Sequence, residues 1–246
     1  IIGDYAQKHT FIKLLENPEK FTSFGLNLGI KNSRGEIIIR MDAHAGYEKD
    51  YISKCVKVLR EFNADNAGGA IKTLPAKDTT MARAIAYVLS SPLGAASAFR
   101  LGPKKAMEVD TVFGGCYKRE VFEKVGLFDE RMLRSQDIEF NKRLEKAGGK
   151  IILSPEIRSV YYPQATLFGF LKHNFEDGVW AILPSKFIKT KFKLRHYIPL
   201  IFVASLIGLW FLSNFSGAFS LLLLLEVLLY LFLSIFFSFK IAVKEK

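Results

Sequence analysis

Apolar positions in the first 160 residues follow two periods, which predicts strands that alternate with helices. Short apolar runs predict strands over residues 12–18, 36–41, 66–74, 108–117 (ending in a turn) and 150–155. Apolar positions at helical spacing predict helices over 22–35, 48–62, 78–91, 118–126 and 138–149. Residues 92–103 carry mostly small side chains and predict a loop. This alternation is typical of an α/β fold with a mainly parallel sheet.

A second pattern begins at Ile198, because from there to Phe239 the chain is almost free of charge. About 20 apolar residues cross a bilayer, so the run predicts two transmembrane helices separated by the polar stretch 213–217. The first helix is short, so its insertion into the membrane can be shallow or tilted. A buried helical pair in a soluble protein is the alternative, but so long a run is difficult to cover with protein. Its one charge, Glu226, is predicted to be tolerated near water rather than paired with another helix.

The distribution of charge predicts how these helices are oriented across the membrane. The chain has 35 Lys and Arg against 24 Asp and Glu, a net charge of +11. Much of the excess lies on either side of the apolar run, in residues 186–195 and 240–246. Basic flanks on both sides of a hairpin predict that both ends are cytoplasmic. Because membrane electrostatics accounts for these residues, a nucleic acid is not predicted as a partner.

The strand predicted at 36–41 is followed by two side chains that can bind a cation, Asp42 and His44. Side chains repeat with a period of two along an extended backbone, which predicts that both lie on the same side. Ligands of α/β sheets bind outside the carboxyl ends of strands. A cation site is therefore favoured over a polar start of a loop.

Two further stretches have both a structural and a functional interpretation. Asp137 and Glu139 stand at the start of an amphipathic helix, where acidic residues are ordinary N-terminal residues. Residues 166–180 form an aromatic-rich amphipathic segment, typical of a helix on a membrane surface. The two cysteines, Cys55 and Cys116, predict reduced thiols and neither a disulfide nor a metal framework.

The stretches ENPEKFTSFGLNLGI, RGEIIIRMDAHA and VDTVFGGCYKREVFEKVGLFDERMLRSQDIEFNKRLEKAGGKI, in this order and spacing, resemble inverting family-2-type glycosyltransferases. The resemblance covers about residues 12–180 and is closest to the membrane-associated, succinoglycan-type glucosyltransferases that build exopolysaccharide. It implies a GT-A type, Rossmann-like nucleotide-sugar domain over 1–165 and a membrane-interface segment over 166–196. Two transmembrane helices over 197–239 and a basic cytoplasmic tail over 240–246 would follow.

The resemblance also implies that the first strands of the domain lie upstream of Ile1, where the family holds the base and ribose of the nucleotide. The chain begins without Met, which favours a fragment over a protein that has lost part of its donor site. We therefore expect the nucleotide-sugar domain to be incomplete at its N-terminus and these 246 residues alone to be inactive.

On the donor side, the resemblance assigns roles to three residues. Asp42 and His44 occupy the place of the family's DxD metal motif, in a D-x-H form. Asn27 matches an Asn that lies near the donor in such enzymes. The implied cofactor is a divalent cation, Mg²⁺ or Mn²⁺, and an imidazole ligand shifts the preference toward Mn²⁺.

On the catalytic side, Asp137 occupies the place of the acidic residue that acts as base. Gln136, Glu139, His173 and Trp180 are expected on the acceptor side. Gln136 stands where many relatives have Glu, and His173 replaces the usual Gln.

The implied reaction moves a sugar from a nucleotide-sugar donor to a saccharide or lipid-linked acceptor, with inversion, in polysaccharide or cell-envelope biosynthesis. The chemistry agrees, because a cation neutralises the leaving diphosphate and a carboxylate takes the acceptor's proton. The implied location is the cytoplasmic face of the cell membrane. The alternative is a catalytically inactive membrane module of the same fold that binds a partner or a glycan, which the departures at Gln136 and His173 favour.

Overall fold

The computed structural model of the chain describes residues 2–92, 94, 97–182 and 197–244. Its helices are α1 (Ile2–Lys8), α2 (Thr22–Asn32), α3 (Tyr51–Glu61), α4 (Thr80–Leu89), α5 (Ala98–Leu101), α6 (Arg119–Val125), α7 (Gln136–Lys146), α8 (Leu167–Ile182), α9 (Ile198–Leu212) and α10 (Gly217–Lys244). Its strands are β1 (Ile37–Ile39), β2 (Ala45–Tyr47), β3 (Asn66–Thr73), β4 (Met107–Glu108), β5 (Phe113–Lys118) and β6 (Ile151–Tyr161). The basic flank predicted over 186–195 lies outside the described residues.

The six strands form one sheet in the order β1-β5-β3-β6-β2, with β4 paired to β6. Among the described strands, β3 and β6 are parallel and every other pair is antiparallel. The α/β fold is confirmed, but the prediction of a mainly parallel sheet is wrong. Apolar periodicity identifies a strand, whereas its direction depends on the path of the connections to its neighbours.

The core lies on both faces of the sheet because successive side chains of a strand point to opposite faces. In β5, Cys116 packs toward α3, and Tyr117 packs toward α6 and α7. The α6–α7 face is aromatic, with ring centroids 4.6 to 6.5 Å apart among Tyr117, Phe122, Phe128 and Phe140. Packing on both faces of the sheet holds the strands in position, and this fixes where the side chains at the strand ends lie.

Several local predictions are confirmed and others are wrong. The helices at 22–35, 48–62, 78–91, 118–126 and 138–149 are present; four lie within the predicted bounds, and α7 begins two residues earlier, at Gln136, and ends at Lys146. Residues 12–17 have no regular structure, so the strand predicted there is wrong, and the loop predicted at 92–103 contains α5. Strand β5 continues through Gly114 and Gly115, where a turn is predicted, because both glycines adopt positive φ (72° and 107°) within the strand.

Strand β6 runs six residues beyond the predicted end at Pro155. Its pairing with β3 shifts there, from Gly69 opposite Ser154 to Ala70 opposite Arg158. Proline is tolerated at such a bulge because the missing N–H is not needed by the ladder. The extension carries β6 to Tyr161, at the end of the sheet where β1 and β3 also finish.

The C-terminal apolar run forms two helices separated at 213–216, close to the predicted break. Within the described ranges, one helix is long and apolar enough to cross a membrane, Gly217–Val243, with a mean hydropathy of 2.5. Helix α9 has 15 residues, about 22 Å at about 1.5 Å per residue, which is less than the roughly 30 Å of a bilayer core. A full span therefore has structural support for α10, and α9 suits the shallow or tilted insertion.

The two helices are joined by a hydrogen bond that the sequence analysis did not predict. The Ser205 hydroxyl on α9 donates to Oε1 of Glu226 on α10. The expectation that Glu226 is unpaired is therefore wrong, because the hairpin places a hydroxyl group against the carboxylate.

Candidate active site

The residues after β1 form a turn instead of a continued strand. The Ala45 N–H donates to the carbonyl oxygen of Asp42 over 3.2 Å, so the backbone reverses across residues 42–45. The Asp42 N–H also donates to the Tyr47 hydroxyl over 2.6 Å. The prediction that Asp42 and His44 share one side of an extended backbone is thus wrong, because these hydrogen bonds hold the backbone in a turn at the end of β1.

Arg40 contacts Asp42 through two nitrogen atoms of its guanidinium group. Its Nε lies 2.9 Å from Oδ1, and its Nη2 lies 3.1 Å from Oδ2. Burial acts to lower the pKa of Arg40, but the carboxylates of Asp137 and Asp42 outweigh it and raise that pKa. Arg40 therefore lies in the electrostatic field of both carboxylates that the sequence analysis selected.

Arg40 is a site residue that the sequence analysis missed. The signal was present, since Arg40 and Asp42 are two positions apart and side chains at that spacing leave a strand on the same side. Most Arg–Asp pairs are surface features, so the spacing alone does not identify a site. The burial of this pair, with the two side chains 14% and 15% exposed, is a property of the folded chain.

Asp137 lies in the first turn of α7, after Ser135, whose backbone is left-handed (φ 56°). The carboxylate is half-buried, and its Oδ1 accepts a hydrogen bond from the Ile138 N–H over 2.9 Å. The adjacent Gln136 is buried. A half-buried carboxylate near Arg40 is compatible both with a base and with an N-terminal helix residue, so its catalytic role stays a prediction.

Two predicted site residues have structural roles. Glu139 is 1% exposed and forms a double ion pair with Arg143, with contacts of 2.5 and 2.7 Å. Asn27 is 3% exposed, donates to the Phe128 carbonyl over 2.8 Å and accepts from the Phe128 N–H over 3.0 Å. The expected acceptor contact of Glu139 and donor contact of Asn27 do not agree with this burial, because neither polar group is free to reach a ligand.

A second group of side chains lies where β6 and β3 end. Tyr161 is the last residue of β6, in register with Ala45 of β2 and Thr73 of β3. The exposed His44 ring packs edge-on against Tyr161, with centroids 5.6 Å apart. Arg100, from α5, lies over the same Tyr161 ring at 4.8 Å. The turn after β1 and the loop that contains α5 therefore meet at this end of the sheet.

Helix α8 docks beside the Asp137 loop through Arg134. The Arg134 guanidinium donates to Glu176, and to Asp177 over 2.7 Å. It also lies 3.0 Å from Nδ1 of His173, whose Nε2 lies 3.3 Å from Oδ2 of Asp177. The structure thus brings His173 next to the residues that lead into Asp137, and its acceptor-side role stays a prediction. Trp180 is half-buried on the same helix, and its acceptor contact stays a prediction.

The opposite side of α8 is apolar and exposed. Four exposed apolar side chains recur there at helical spacing, Phe168, Leu171, Phe175 and Val179, and Leu167 at the start of the helix is exposed as well. Helix α8 is therefore amphipathic in the folded chain, with polar contacts to Arg134 on one side and a hydrophobic stripe on the other.

The predicted metal ligands are suitable for a cation only together with a phosphate-bearing donor. Within the described residues there is no group of three or more His, Cys, Asp or Glu that holds a metal. A carboxylate and an imidazole suit Mg²⁺ or Mn²⁺ when phosphate and water oxygens complete the shell. Asp42 and His44 fit this limited role, and Asp42 would then exchange or share its contact with Arg40.

Comparison with known proteins identifies relatives of the chain. The profile of the family described as "Glycosyl transferase family 2" matches residues 1–126. A glycosyltransferase of Methanococcus voltae, named a dolichyl N-acetyl-alpha-D-glucosaminyl phosphate 3-beta-D-2,3-diacetamido-2,3-dideoxy-beta-D-glucuronosyltransferase, is 29% identical over 186 residues, 72% of this chain and 57% of that protein. The succinoglycan biosynthesis protein ExoA of Rhizobium meliloti is 28% identical over 190 residues, 70% of this chain and 57% of that protein. The chain thus spans over half the length of these curated relatives.

Among solved structures, the mannosyltransferase PcManGT from Pyrobaculum calidifontis, in complex with GDP-Man and Mn²⁺, is similar to this chain with a TM-score of 0.60. The two share 17% identity, and the match covers 94% of this chain and 66% of that one. At this identity the likeness shows the GT-A fold.

Proposed function

Because the chain belongs to glycosyl transferase family 2, we propose that it is a metal-dependent, inverting enzyme that moves a sugar from a nucleotide-sugar donor to a saccharide or lipid-linked acceptor in polysaccharide or cell-envelope biosynthesis. The observation that carries the proposal is the arrangement at the end of β1. There, Arg40 is bonded to Asp42 and lies in the field of Asp137. A metal-site candidate and a base candidate thus share one charged neighbour.

The donor side of the proposal rests on Asp42 and His44. These two residues would hold the divalent cation, which when bound neutralises the negative charge that develops on a leaving diphosphate. The PcManGT structure contains both GDP-Man and Mn²⁺, which supports a nucleotide sugar and a cation for this chain as well. Arg40 would keep the Asp42 carboxylate oriented at the end of β1.

The acceptor side rests on Asp137. An acceptor hydroxyl is a weak nucleophile, so a carboxylate must take its proton during attack. Direct attack opposite the departing diphosphate inverts the anomeric carbon and needs no covalent enzyme intermediate. His173, which Arg134 holds near the Asp137 loop, is the best-supported acceptor-side neighbour.

We further propose that the enzyme works at the cytoplasmic face of the cell membrane. The exposed apolar side of α8 and the apolar helix α10 support a membrane position, and the basic residues on either side of the apolar run favour the cytoplasmic face. A membrane position suits an acceptor that is lipid-linked, and the name of the Methanococcus relative describes a dolichyl-phosphate-linked sugar acceptor.

The test is turnover by the full-length protein in membranes, measured as release of nucleoside diphosphate from a panel of nucleotide sugars with Mg²⁺ or Mn²⁺. We expect release that requires the cation and that falls by about 10²-fold or more in Asp137→Asn, which removes the base. The matched control is Asp78→Asn, because Asp78 is exposed and its carboxylate contacts Arg83, which is not a candidate site residue.

Two results would contradict the proposal. Either no nucleotide sugar is hydrolysed or transferred, or Asp137→Asn turns over like the wild type. In both cases Asp137 would be an ordinary residue of a helix N-terminus, and the inactive membrane module that binds a partner or a glycan would be the better description.

A further inference from the structure

Among the described residues, Arg100 lacks the carboxylate partner that three other half-buried arginines of the domain have. Arg40, Arg134 and Arg143 each form short ion pairs with Asp or Glu. A fourth half-buried arginine, Arg119, also has no ion pair among the described residues, but it donates short hydrogen bonds to the Gly35 carbonyl (2.6 Å) and the Ser33 hydroxyl (2.7 Å). In the part of the chain that the structure describes, Arg100 has no ion pair, and its polar neighbours are the neutral hydroxyls of Thr73 and Tyr161. The hydrogen bond to Thr73 is long, at 3.4 Å.

The charge of Arg100 is therefore incompletely compensated. Burial lowers the pKa of its guanidinium, and the attraction of Tyr161 and Asp177 offsets only part of this effect. Asp177 acts from beyond ion-pair distance, because its carboxylate is bonded to Arg134 and His173. A guanidinium group has five N–H donors, so most of those of Arg100 remain available to a ligand.

The surroundings hold Arg100 in a defined position. Its guanidinium carbon lies 4.8 Å from the Tyr161 ring centroid and 5.9 Å from that of Phe99. Stacking of this kind orients a planar guanidinium and restricts its rotation. The same Tyr161 ring also contacts the ring of His44, with centroids 5.6 Å apart. An oriented cation thus lies beside the proposed metal–diphosphate site.

We propose that Arg100 binds a phosphate group of a substrate. Guanidinium and phosphate match in geometry, because two parallel N–H groups bind two phosphate oxygens. Two sources of this phosphate exist if the proposed function holds: the diphosphate of the nucleotide-sugar donor and the phosphate that links a saccharide acceptor to its lipid. The inference rests on the proposed function only for the identity of these ligands.

The first experiment measures binding to the full-length protein in membranes, without turnover. The probes are UDP and GDP with Mn²⁺, and vesicles of phosphatidylcholine with or without a polyprenyl phosphate. We expect Arg100→Gln to weaken one of these two ligand classes by about 10- to 100-fold, the usual cost of losing a hydrogen bond between charged groups. Arg100→Lys, which keeps the charge, should retain part of the affinity.

The pattern of loss identifies the source. Weaker binding of nucleoside diphosphate alone assigns Arg100 to the donor, and weaker binding of polyprenyl phosphate alone assigns it to the acceptor. The matched control is Arg83→Gln, because Arg83 lies on an exposed surface with only a 3.5 Å contact to Asp78. If neither ligand class is weakened in Arg100→Gln, the proposal is overturned.

A second measurement needs no variant and so does not depend on folding. Wild-type protein is treated with phenylglyoxal, and modification of Arg100 is followed by mass spectrometry. We expect nucleoside diphosphate with Mn²⁺, or polyprenyl phosphate, to protect Arg100 several-fold more than Arg83. Equal labelling with and without every phosphate ligand would also overturn the proposal.

These results separate the inference from the proposed function. If Asp42→Asn abolishes cation-dependent binding of nucleoside diphosphate while Arg100→Gln changes neither ligand, the glycosyltransferase proposal stands and the role of Arg100 fails. If the wild type binds no nucleoside diphosphate but Arg100 is protected by polyprenyl phosphate, the role of Arg100 stands and the donor site fails.

Discussion

Arginine side chains determine much of the charge arrangement at the end of the sheet. Arg40 bonds the Asp42 carboxylate on both oxygens, and Arg134 bonds the acidic pair on α8. Arg100 donates to the neutral Thr73 hydroxyl and has no ion pair within the described ranges. The sequence analysis selected acidic residues and histidines as candidate ligands. The structure adds the arginine side chains that bind these candidates, and those contacts limit which carboxylate and imidazole groups can reach a ligand.

The first prediction at the residue scale concerns Arg40. In Arg40→Gln, Asp42 and Asp137 lose a shared positive neighbour, so a divalent cation meets less competition and more uncompensated negative charge. We expect Mn²⁺ to bind several-fold more tightly in the presence of a nucleoside diphosphate, whose oxygens complete the coordination shell. We also expect the free energy of unfolding to fall by about 2–3 kcal/mol, because a largely buried ion pair is broken.

Calorimetric titration of Mn²⁺ and thermal unfolding of the membrane-extracted protein measure these two effects. Arg131→Gln is the control, since its pair with Asp129 lies on the surface and should cost under about 1 kcal/mol. Unchanged or weaker Mn²⁺ binding in Arg40→Gln would show that Asp42 is not a cation ligand.

At the scale of elements, helix α8 lies in the chain between the α/β domain and the apolar helices α9 and α10. One side of α8 is bonded to Arg134, which precedes α7, and the other side is exposed and apolar. The same loop carries Asp137 into the first turn of α7. A displacement of α8 is therefore transmitted to the loop of the proposed base through one side chain.

We expect Arg134→Gln to release α8 from the domain, because it removes the contacts to Glu176, Asp177 and His173. Cleavage of residues 166–182 by a protease should rise several-fold, and kcat/KM should fall. Stability should change little, since these ion pairs are partly exposed. Limited proteolysis in detergent measures the first effect. Lys172→Gln is the control, because Lys172 contacts Glu176 only at 4.0 Å. Equal cleavage in both variants would show that Arg134 does not hold α8.

At the scale of the whole molecule, the chain combines a GT-A fold with an apolar hairpin of two helices, α9 and α10. The hairpin is held by packing of α9 on α10 and by the Ser205–Glu226 hydrogen bond. In a bilayer such a bond satisfies a polar group that lipid leaves unpaired. Helix α9 is short for a span, so its attachment to α10 would contribute to its position in the membrane.

This pairing predicts a cross-link. The double variant S205C/E226C should form an intramolecular disulfide under mild oxidation, because the two side chains are in contact across the hairpin. The variant I207C/E226C is the control, since Ile207 is exposed on α9. The native Cys55 and Cys116 are buried in the catalytic domain and should not interfere. Mass spectrometry of tryptic peptides detects the bond, and equal cross-linking in both variants would contradict the hairpin packing.

The sequence by itself determined most of the element types and the family. Periodicity predicted five helices correctly, because an amphipathic face requires apolar residues at helical spacing whatever the tertiary context. The ordered motifs indicated the glycosyltransferase family, which the family profile confirms. The apolar run after Ile198 predicted the helical hairpin and the position of its turn.

Only the tertiary structure decided which polar residues are available to ligands. Three features depend on groups that are distant in the sequence or on how deeply a side chain is covered. They are the burial of Glu139 and Asn27, the burial of the Arg40–Asp42 pair, and the lack of an ion pair between Arg100 and any described residue. The tertiary structure also decided which strands pair parallel and which pair antiparallel. A local pattern records whether a residue belongs in a core, whereas the partner it meets depends on how the whole chain packs.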